Sequence, residues 1–337
     1  MILHIGNKLS KHGNTPTSVE TLGMLLGEKY KVVSVSDKQN KMLRLIDMTL
    51  SIVKYRKHIS YILIDTYSTS NFYYALLCGF IAKRLNIKYI PMLRGGGLPA
   101  RLKKSPEFTK FLFENAYMNV APSGYLLDTF EQYSYKTVYI PNNIEIINYK
   151  FKKRENLQPK LLYVRAFSLV YNPQMALSVL QNLLNKFPNA SLCMVGPDRD
   201  GTLEKTKELC QEMGLDDKVL FTGKLSKEEW WRLSEECDIF INTTNFDNTP
   251  VSVMEAMALG LPVVTTNVGG IPYLIEDGID GLLVAPNDAM AMSKKIEYLI
   301  LNPEEASNVA YNARKKVETF DWVNVKPLWL KLLKEGV

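Results

Sequence analysis

Apolar runs, many of them β-branched, alternate along the chain with longer stretches in which apolar residues recur at helical spacing, and the alternation forms two successive series. The first series predicts strands at residues 2–5, 31–35, 61–65, 87–93, 118–121 and 137–140. The second predicts strands at residues 161–164, 191–195, 219–221, 238–243, 262–266 and 281–284, and helices at 289–300, 304–318 and 322–334. Strands that alternate with helices form parallel sheets, so we predict two doubly wound α/β domains with a cleft between them.

A basic stretch of low hydrophobicity, residues 149–160, separates the two series. We therefore predict one domain over residues 1–148 and a second that begins at residue 149. Ligands of such sheets bind at the carboxyl ends of the strands, so we expect the functional residues in the loops there.

Composition excludes several classes of protein. The chain has 337 residues, of which 46% are hydrophobic and 23% charged, and this excludes wholesale disorder. The cysteines form no C-x-x-C pair and the three histidines are scattered, which excludes a zinc ribbon, a disulfide scaffold and a metalloprotease. Basic residues interrupt the most apolar segment, residues 73–90, so we predict no membrane span. The scattered cysteines fit a reducing compartment, and we predict a cytoplasmic location.

Charge is divided unequally between the two series. Residues 1–150 hold 20 Lys and Arg against 10 Asp and Glu, a net +10, whereas residues 151–337 hold 21 against 25, a net −4. An excess of this size on one half favours an anionic partner such as a phospholipid surface or a phosphorylated substrate. Nucleic acid is disfavoured, because no nucleic-acid-binding motif is present.

Two glycine-containing loops follow predicted strands of the first series. One runs over residues 6–16 and includes Gly13 and Asn14, but it is not the G-x-G-x-x-G dinucleotide motif, and the chain has no P-loop motif. The other begins at Arg94 and continues as Gly95, Gly96 and Gly97. Consecutive glycines favour a loop that needs unusual backbone angles or space beside a ligand, and a flexible hinge is the alternative.

The most informative pattern lies at residues 245–262. Asn248 or Thr249 can cap a helix there, Pro250 suits its first turn, and Gly260 ends it. The free N–H groups at the start of such a helix bind an anion such as a diphosphate without a metal ion.

Two acidic residues accompany this helix. Glu255 is the only charged residue between positions 250 and 262, and Asp247 precedes the helix. A buried carboxylate needs hydrogen-bond partners, so we expect Glu255 to accept bonds from ligand hydroxyls or nearby backbone. A purely structural carboxylate is the alternative.

Residues 238–288, above all 248–260, 268–272 and 277–284, closely resemble retaining glycosyltransferases of family four. A looser likeness covers nearly the whole chain. The resemblance implies the GT-B fold, with two Rossmann-like domains facing a central cleft. It also implies that residues 149–319 bind the nucleotide sugar and that the C-terminal helix, within residues 320–337, completes the acceptor-side first domain.

The resemblance also implies residue roles. Glu255 matches an acidic residue that contacts the donor ribose, while Asp247 stands where relatives have a longer Glu that reaches the sugar. Arg165 matches an Arg on the donor diphosphate, but a Lys found in many relatives is missing near Tyr171. The diphosphate would then be held by Arg165, the helix N-terminus and Tyr171, with Arg94 or a lysine of the first loop as further candidates. The other implied donor-binding residues are Gly196, Thr222, Leu225, Asn248, Thr249, Pro250, Val251 and Ser252. The implied acceptor-side residues are Gly13, Asn14, Arg94, Gly95, Gly96 and Gly97.

The segment Asp198-Arg199-Asp200 has the D-x-D form that binds manganese in another glycosyltransferase fold. It precedes a predicted helix and has no clustered ligands nearby, so we predict helix capping instead and an enzyme without a metal or other cofactor.

The resemblance implies transfer of a sugar from a nucleoside diphosphate sugar to a hydroxyl of a glycan or lipid-linked acceptor, in bacterial-type surface polysaccharide or lipopolysaccharide synthesis. A catalytically weak nucleotide-sugar-binding module and a nucleotide-sugar epimerase of the same fold are the alternatives. The basic first half further suggests peripheral contact with an anionic membrane at its cytoplasmic face, through Arg101, Lys103, Lys104 and Lys110.

Overall fold

The computed structural model describes residues 1–13 and 16–334, and the chain divides into two compact units. Unit 1 comprises Met1–Pro141 together with the residues from Trp329 onward, and unit 2 comprises Asn142–Leu328. Each unit contains one six-stranded sheet in which every strand pair is parallel.

The strands of unit 1 are β1 (Ile2–Ile5), β2 (Val32–Val35), β3 (Tyr61–Thr66), β4 (Lys88–Leu93), β5 (Asn119–Ala121) and β6 (Thr137–Tyr139). Its helices are α1 (Ser18–Gly27), α2 (Lys41–Tyr55), α3 (Phe72–Arg84), α4 (Leu98–Lys104), α5 (Pro106–Glu114) and α6 (Gly124–Gln132). The strand order is β2-β1-β3-β4-β5-β6, so β1 and β3 are neighbours whose following loops lead in opposite directions. Both strands are fully buried, as expected for a parallel sheet covered on its two faces.

The strands of unit 2 are β7 (Lys160–Val164), β8 (Ser191–Val195), β9 (Val219–Gly223), β10 (Ile239–Asn242), β11 (Val263–Thr266) and β12 (Leu282–Val284). Its helices are α7 (Pro173–Leu184), α8 (Thr202–Glu212), α9 (Lys227–Leu233), α10 (Val251–Ala258), α11 (Ile271–Leu274), α12 (Ala289–Leu301) and α13 (Pro303–Glu318). The last helix is α14 (Trp322–Lys334), whose residues from Trp329 belong to unit 1. The strand order is β12-β11-β10-β7-β8-β9.

Every predicted strand is present, and its ends differ from the predicted ones by at most two residues. The unit boundary lies before residue 142 rather than after residue 148. The reason is a set of bonds within unit 2: Ile144 N–H donates to the Phe320 carbonyl at 3.0 Å, and Ile146 N–H donates to the Asp321 carboxylate at 2.8 Å. These bonds hold residues 144–146 and 320–321 in unit 2, so the return to unit 1 begins at Trp329 and not at residue 320.

The four cysteines are buried and free. Within residues 1–13 and 16–334, the structure contains no helix that is both long and apolar enough to span a bilayer.

Candidate functional site

The centre of the unit 2 sheet is a topological switch point. β7 and β10 are hydrogen-bonded neighbours, but the chain passes from β7 toward β8 and from β10 toward β11, on opposite sides. The loops after these two strands therefore diverge and leave a crevice at the carboxyl ends of the strands, which is the usual ligand position in such sheets.

Arg165 and Asp247 meet at this switch point. Arg165 directly follows β7, and its guanidinium forms an ion pair with the carboxylate of Asp247, in the loop after β10. The guanidinium also stacks on the Tyr171 ring, 4.2 Å from its centroid. The Arg165 and Asp247 side chains are only 14% and 15% exposed, so their charges are largely withdrawn from water. Each charge is stabilised by the other, because an unpaired buried charge is costly.

Gly196 supports Arg165 from the adjacent strand. The Arg165 N–H donates to the carbonyl of Val195, and a Cβ on Gly196 would lie 1.9 Å from the Arg165 carbonyl oxygen. Gly196 also has φ +154°, a backbone angle that a side chain disfavours. Glycine is therefore required here to let the loop after β8 approach the loop after β7.

The loop that carries Asp247 is held by backbone contacts. The Asn248 N–H donates to the Asp247 carboxylate at 2.9 Å, and the Gly270 N–H donates to the Asp247 carbonyl at 3.0 Å. A Cβ on Gly269 or Gly270 would lie 2.1 Å from the Asp247 carbonyl or 2.0 Å from the Asn248 carbonyl, respectively. The segment after β11 thus packs directly against the acidic loop.

We expect Gly270→Ala to destabilise unit 2, because the added methyl group collides with backbone that cannot rotate away. The loss should be about 1–3 kcal/mol, the usual cost of overpacking. Gly27→Ala is the matched control, since a Cβ at Gly27 meets open space. Urea unfolding of both variants checks the prediction, which is wrong if the two are equally stable.

The helix after Asp247 begins differently from the prediction. Neither Asn248 nor Thr249 is its cap; Pro250 is, with φ −70° and ψ 115°, and its carbonyl accepts bonds from Val253 and Met254. The side chain of Pro250 has no hydrogen-bond acceptor. The first N–H groups of α10 therefore receive no bond from the side chain of the cap residue. Ser252 Oγ, in the first turn, is buried and has no hydrogen-bond partner among residues 1–13 and 16–334.

Glu255 is buried, as expected, but its partners are side chains. Its Oε1 accepts a bond from the Tyr149 hydroxyl at 2.8 Å and pairs with Lys227 Nζ at 2.6 Å. These partners are side chains and not the nearby backbone, whereas the expected bonds from ligand hydroxyls stay a prediction. Burial, and then the charge of Glu255, raise the pKa of Tyr149, so its hydroxyl stays protonated and donates.

Lys227 and Tyr149 are the residues of this site that the sequence did not indicate. Lys227 is the first residue of α9, where Ser226 and Glu229 form a capping box, and its side chain is half-exposed. The S-x-x-E pattern was a signal for this helix start. No local signal connected it to Glu255.

The turn after β9 adjoins the Gly196 loop. Gly196 N–H donates to the Gly223 carbonyl at 2.9 Å, and the Thr222 hydroxyl donates to that same carbonyl at 3.0 Å. Leu225 packs partly buried against the core that contains Tyr149. Val251 is exposed at the start of α10. The structure thus joins Arg165, Tyr171, Gly196 and Asp247 directly, with Thr222 and Leu225 at the adjacent strand end.

In unit 1, Arg94 is bound to a buried acid. Asp65, at the end of β3, is fully buried and lies 3.2 Å from Arg94 Nε, 2.8 Å from the Ser18 hydroxyl and 3.7 Å from His4 Nε2. Burial alone would raise the pKa of Asp65, but His4, Arg94 and Ser18 together hold it below its ordinary value. Arg94, a candidate diphosphate cation in the sequence analysis, is thus already paired with an acid of unit 1.

The sequence did not indicate Asp65 or His4 either. His4 lies on β1 and Asp65 on β3, the two strands at the switch point of unit 1. A polar residue at the carboxyl end of β3, beside the loop that follows β1, was the signal that could have indicated this pair.

The glycine loop of unit 1 packs against another loop. A Cβ on Gly95 would lie 2.8 Å from the Ser68 nitrogen, and one on Gly97 would lie 2.8 Å from the Ser68 hydroxyl. Gly96 is half-buried in the turn between them. Close backbone packing therefore accounts for Gly95 and Gly97. Gly13 ends a short 3₁₀ helix with φ +79°, and Asn14 lies outside the described residues.

The D-x-D segment acts locally, as predicted. Asp198 accepts bonds from the N–H groups of Gly201 and Leu203 at the start of α8. Asp200 accepts bonds from the hydroxyls of Thr202 and Ser168, which lower its pKa. Among residues 1–13 and 16–334, no group of three or more His, Cys, Asp or Glu is placed to hold a metal ion.

Comparisons with known proteins agree with this arrangement. The family described as "Glycosyl transferases group 1" matches residues 145–316, about half of the chain. The chain is 29% identical over 185 residues to the amylovoran biosynthesis glycosyltransferase AmsK of Erwinia amylovora, covering 49% of this chain and 46% of AmsK. It is 29% identical over 150 residues to the sulfoquinovosyl transferase SQD2 of Arabidopsis thaliana, covering 44% of this chain and 28% of SQD2. The chain therefore matches less than half the length of these curated relatives.

Among solved structures, the chain resembles Anabaena Alr3699/HepE in complex with UDP, with a TM-score of 0.80 and 16% identity over 99% of both chains. At this identity the likeness shows the fold alone, and it confirms the predicted GT-B class.

Proposed function

The chain belongs to the group 1 glycosyltransferases, and from that premise we propose that it transfers a sugar from a nucleoside diphosphate sugar to an acceptor hydroxyl, with retention of the anomeric configuration. The observation that carries the proposal is the Arg165–Asp247 pair beside the start of α10, at the switch point of unit 2. A cation, Arg165, and an acid, Asp247, thus lie beside the first N–H groups of α10, in the loops that follow β7 and β10.

The leaving diphosphate is the first task of this site. We assign it to Arg165, to the N–H groups at the start of α10 and to the Ser252 hydroxyl. Arg165 is a fixed fork of donors suited to phosphate oxygens, and it is already immobilised by the ring of Tyr171. Ser252 Oγ is buried and finds no partner within the described part of the chain, and in this proposal a ligand oxygen supplies one.

The sugar and ribose are the second task. We assign the sugar hydroxyls to Asp247 and the ribose hydroxyls to Glu255. The Tyr149 and Lys227 bonds both go to Oε1 of Glu255, so they fix the orientation of the carboxylate. The Arg165 guanidinium has five N–H donors, so it binds the diphosphate while it stays paired with Asp247, whose other carboxylate oxygen faces the sugar in this proposal. We assign the turn at Thr222 and Leu225 to the base, and the loops of Gly13, Asn14 and Gly95–Gly97 to the acceptor side.

Retention without a covalent enzyme intermediate requires the leaving diphosphate and the acceptor hydroxyl to lie on the same face of the sugar. Neutralising the diphosphate there and positioning the hydroxyl lower the barrier without a protein nucleophile. The acceptor we propose is a glycan or a lipid-linked sugar of surface polysaccharide synthesis, in line with AmsK, and the enzyme would meet it at the cytoplasmic face of an anionic membrane.

The test is a thermal-shift screen of UDP- and GDP-sugars, followed by turnover of the donor that binds, with and without acceptor. Binding followed by acceptor-dependent sugar transfer supports the proposal. Binding without turnover indicates a nucleotide-sugar-binding module, and donor conversion that needs no acceptor indicates an epimerase. Failure of every nucleotide sugar to bind overturns the proposal.

We expect turnover to survive excess EDTA, because Arg165 and the α10 N–H groups supply the positive charge that a metal ion would otherwise provide. Turnover in EDTA should stay within about twofold of its value in magnesium, a difference too small for a lost charge partner. Loss of turnover that manganese restores would instead implicate Asp198 and Asp200. The matched control is Asp198→Asn, whose amide oxygen still accepts the N–H groups of Gly201 and Leu203, and it should change neither the stability nor the response to EDTA.

A further inference from the structure

The outward side of α2 is apolar. Met42, Ile46, Leu50 and Val53 recur at helical spacing and are between 42% and 66% exposed. Met48, on the opposite side of the helix, is buried in the core of unit 1. A surface helix ordinarily turns its polar side to water. Apolar residues on the outer side of α2 therefore indicate a surface that contacts something other than water.

The neighbouring helix extends this apolar area. The Tyr74 hydroxyl on α3 donates to the Lys41 carbonyl on α2 at 3.2 Å, which shows that the two helices pack side by side. Leu77 and Phe80 of α3 are 38% and 42% exposed. We call the exposed sides of the two helices the α2/α3 surface.

Basic residues border one end of the α2/α3 surface. Lys54, Arg56 and Lys57 stand at the end of α2, and Lys83 and Arg84 stand at the end of α3; all are exposed. Both helices lead into parallel strands, so their ends lie at the same edge of the sheet.

Acidic residues are scarce in this part of the chain. Between residues 38 and 88 they are Asp47 and Asp65, and Asp65 is buried. The surface is therefore apolar with a border of one sign of charge, which is the combination that suits an anionic interface.

We propose that the α2/α3 surface docks the protein on a bilayer that contains anionic phospholipids. The proposal rests on the membrane contact in the proposed function, but it assigns that contact to the α2/α3 surface and not to the basic cluster that begins at Arg101. Arg101, an earlier candidate, donates to the Ser68 carbonyl at 2.6 Å and lies over the Phe72 ring, so its guanidinium is already engaged within unit 1.

A bilayer fits this surface better than a second copy of the chain. In a symmetric dimer the same patch meets itself, so the basic border of each copy would meet a surface that carries few acidic residues. A bilayer offers apolar chains to Leu50 and Leu77, and phosphates to the lysines, at the same time.

The experiment is co-sedimentation with vesicles of equal parts phosphatidylglycerol and phosphatidylcholine, and with vesicles of phosphatidylcholine alone. We expect binding to the anionic vesicles, weakened about tenfold or more by Lys54→Glu/Lys57→Glu and by Leu50→Ser/Leu77→Ser. Salt should weaken binding of the parent, because the lysines meet headgroups across water.

Two matched controls separate this surface from others. Met290→Ser/Leu301→Ser removes exposed apolar residues from α12 in unit 2, and Lys103→Glu/Lys104→Glu reverses charges of the earlier cluster. Both should bind vesicles like the parent. Equal binding of all variants, or loss only with Lys103→Glu/Lys104→Glu, overturns the proposal.

Sedimentation velocity and donor turnover keep the remaining outcomes distinct. One outcome is that the parent self-associates and that Leu50→Ser/Leu77→Ser makes it monomeric without changing vesicle binding. This outcome assigns the surface to a second copy of the chain and overturns the proposal. The variants should turn over donor with a soluble acceptor like the parent. If no nucleotide sugar binds and the vesicle results hold, the docking surface stands and the proposed function fails.

Discussion

Replacing Arg165 by alanine is expected to remove about 2–4 kcal/mol of transition-state stabilisation, roughly a thirty- to thousandfold loss in kcat/KM. The guanidinium is largely buried and pairs with Asp247, and no other Lys or Arg among the described residues forms an ion pair with this acid, so we expect no replacement for its charge beside the leaving diphosphate. The loss should appear mainly in kcat, because the negative charge on the leaving group increases in the transition state.

The controls for Arg165→Ala separate lost chemistry from lost structure. Arg165→Lys keeps the charge but not the fork of donors, and we expect it to recover part of the activity. Arg232→Ala removes an exposed arginine from α9 and should leave turnover unchanged. Because Asp247 loses its partner as well, thermal unfolding must be measured beside kinetics, and activity close to that of the parent would show that the diphosphate lies elsewhere.

Much of the fold could be predicted because it depends on local patterns. Buried parallel strands such as β1 and β8 are short apolar runs, and their bounds were predicted to the residue. Asp247 was noted from the loop that precedes a predicted helix, whereas Arg165 was indicated only by the family resemblance. Parallel strands place both of their loops at one edge of the sheet.

The first turn of α10 shows where local patterns were insufficient. Asn248 and Thr249 are good capping residues, yet Pro250 takes the cap position. The Asn248 N–H is instead bonded to Asp247, and Gly270 packs on the Asn248 carbonyl. Tertiary packing of the acidic loop therefore decided where the helix starts.

Contacts between distant residues could not be predicted from one sequence. Tyr149 and Glu255 are 106 positions apart, and Lys227 and Glu255 are 28 apart. Their approach depends on the packing of α9 and α10, for which no spacing rule exists. The same holds for His4 and Asp65, which meet because β1 and β3 are neighbours.

Glu255→Gln is expected to weaken donor binding by about 1.5–3 kcal/mol, roughly ten- to a hundredfold, because hydrogen bonds from hydroxyls to a carboxylate are stronger than those to an amide. The fold should persist. Glutamine retains an oxygen that accepts the Tyr149 hydroxyl, and the half-exposed Lys227 remains solvated when its partner loses charge.

The readouts for Glu255→Gln are the donor dissociation constant, KM and kcat, and the thermal unfolding midpoint. Glu228→Gln, an exposed neighbour of Lys227 on α9, is the matched control and should change none of them. Weaker donor binding with an unchanged midpoint places Glu255 on the ligand. A lower midpoint with unchanged donor binding would instead make it a structural carboxylate that orders Lys227 and Tyr149, and the ribose would then need another acceptor group.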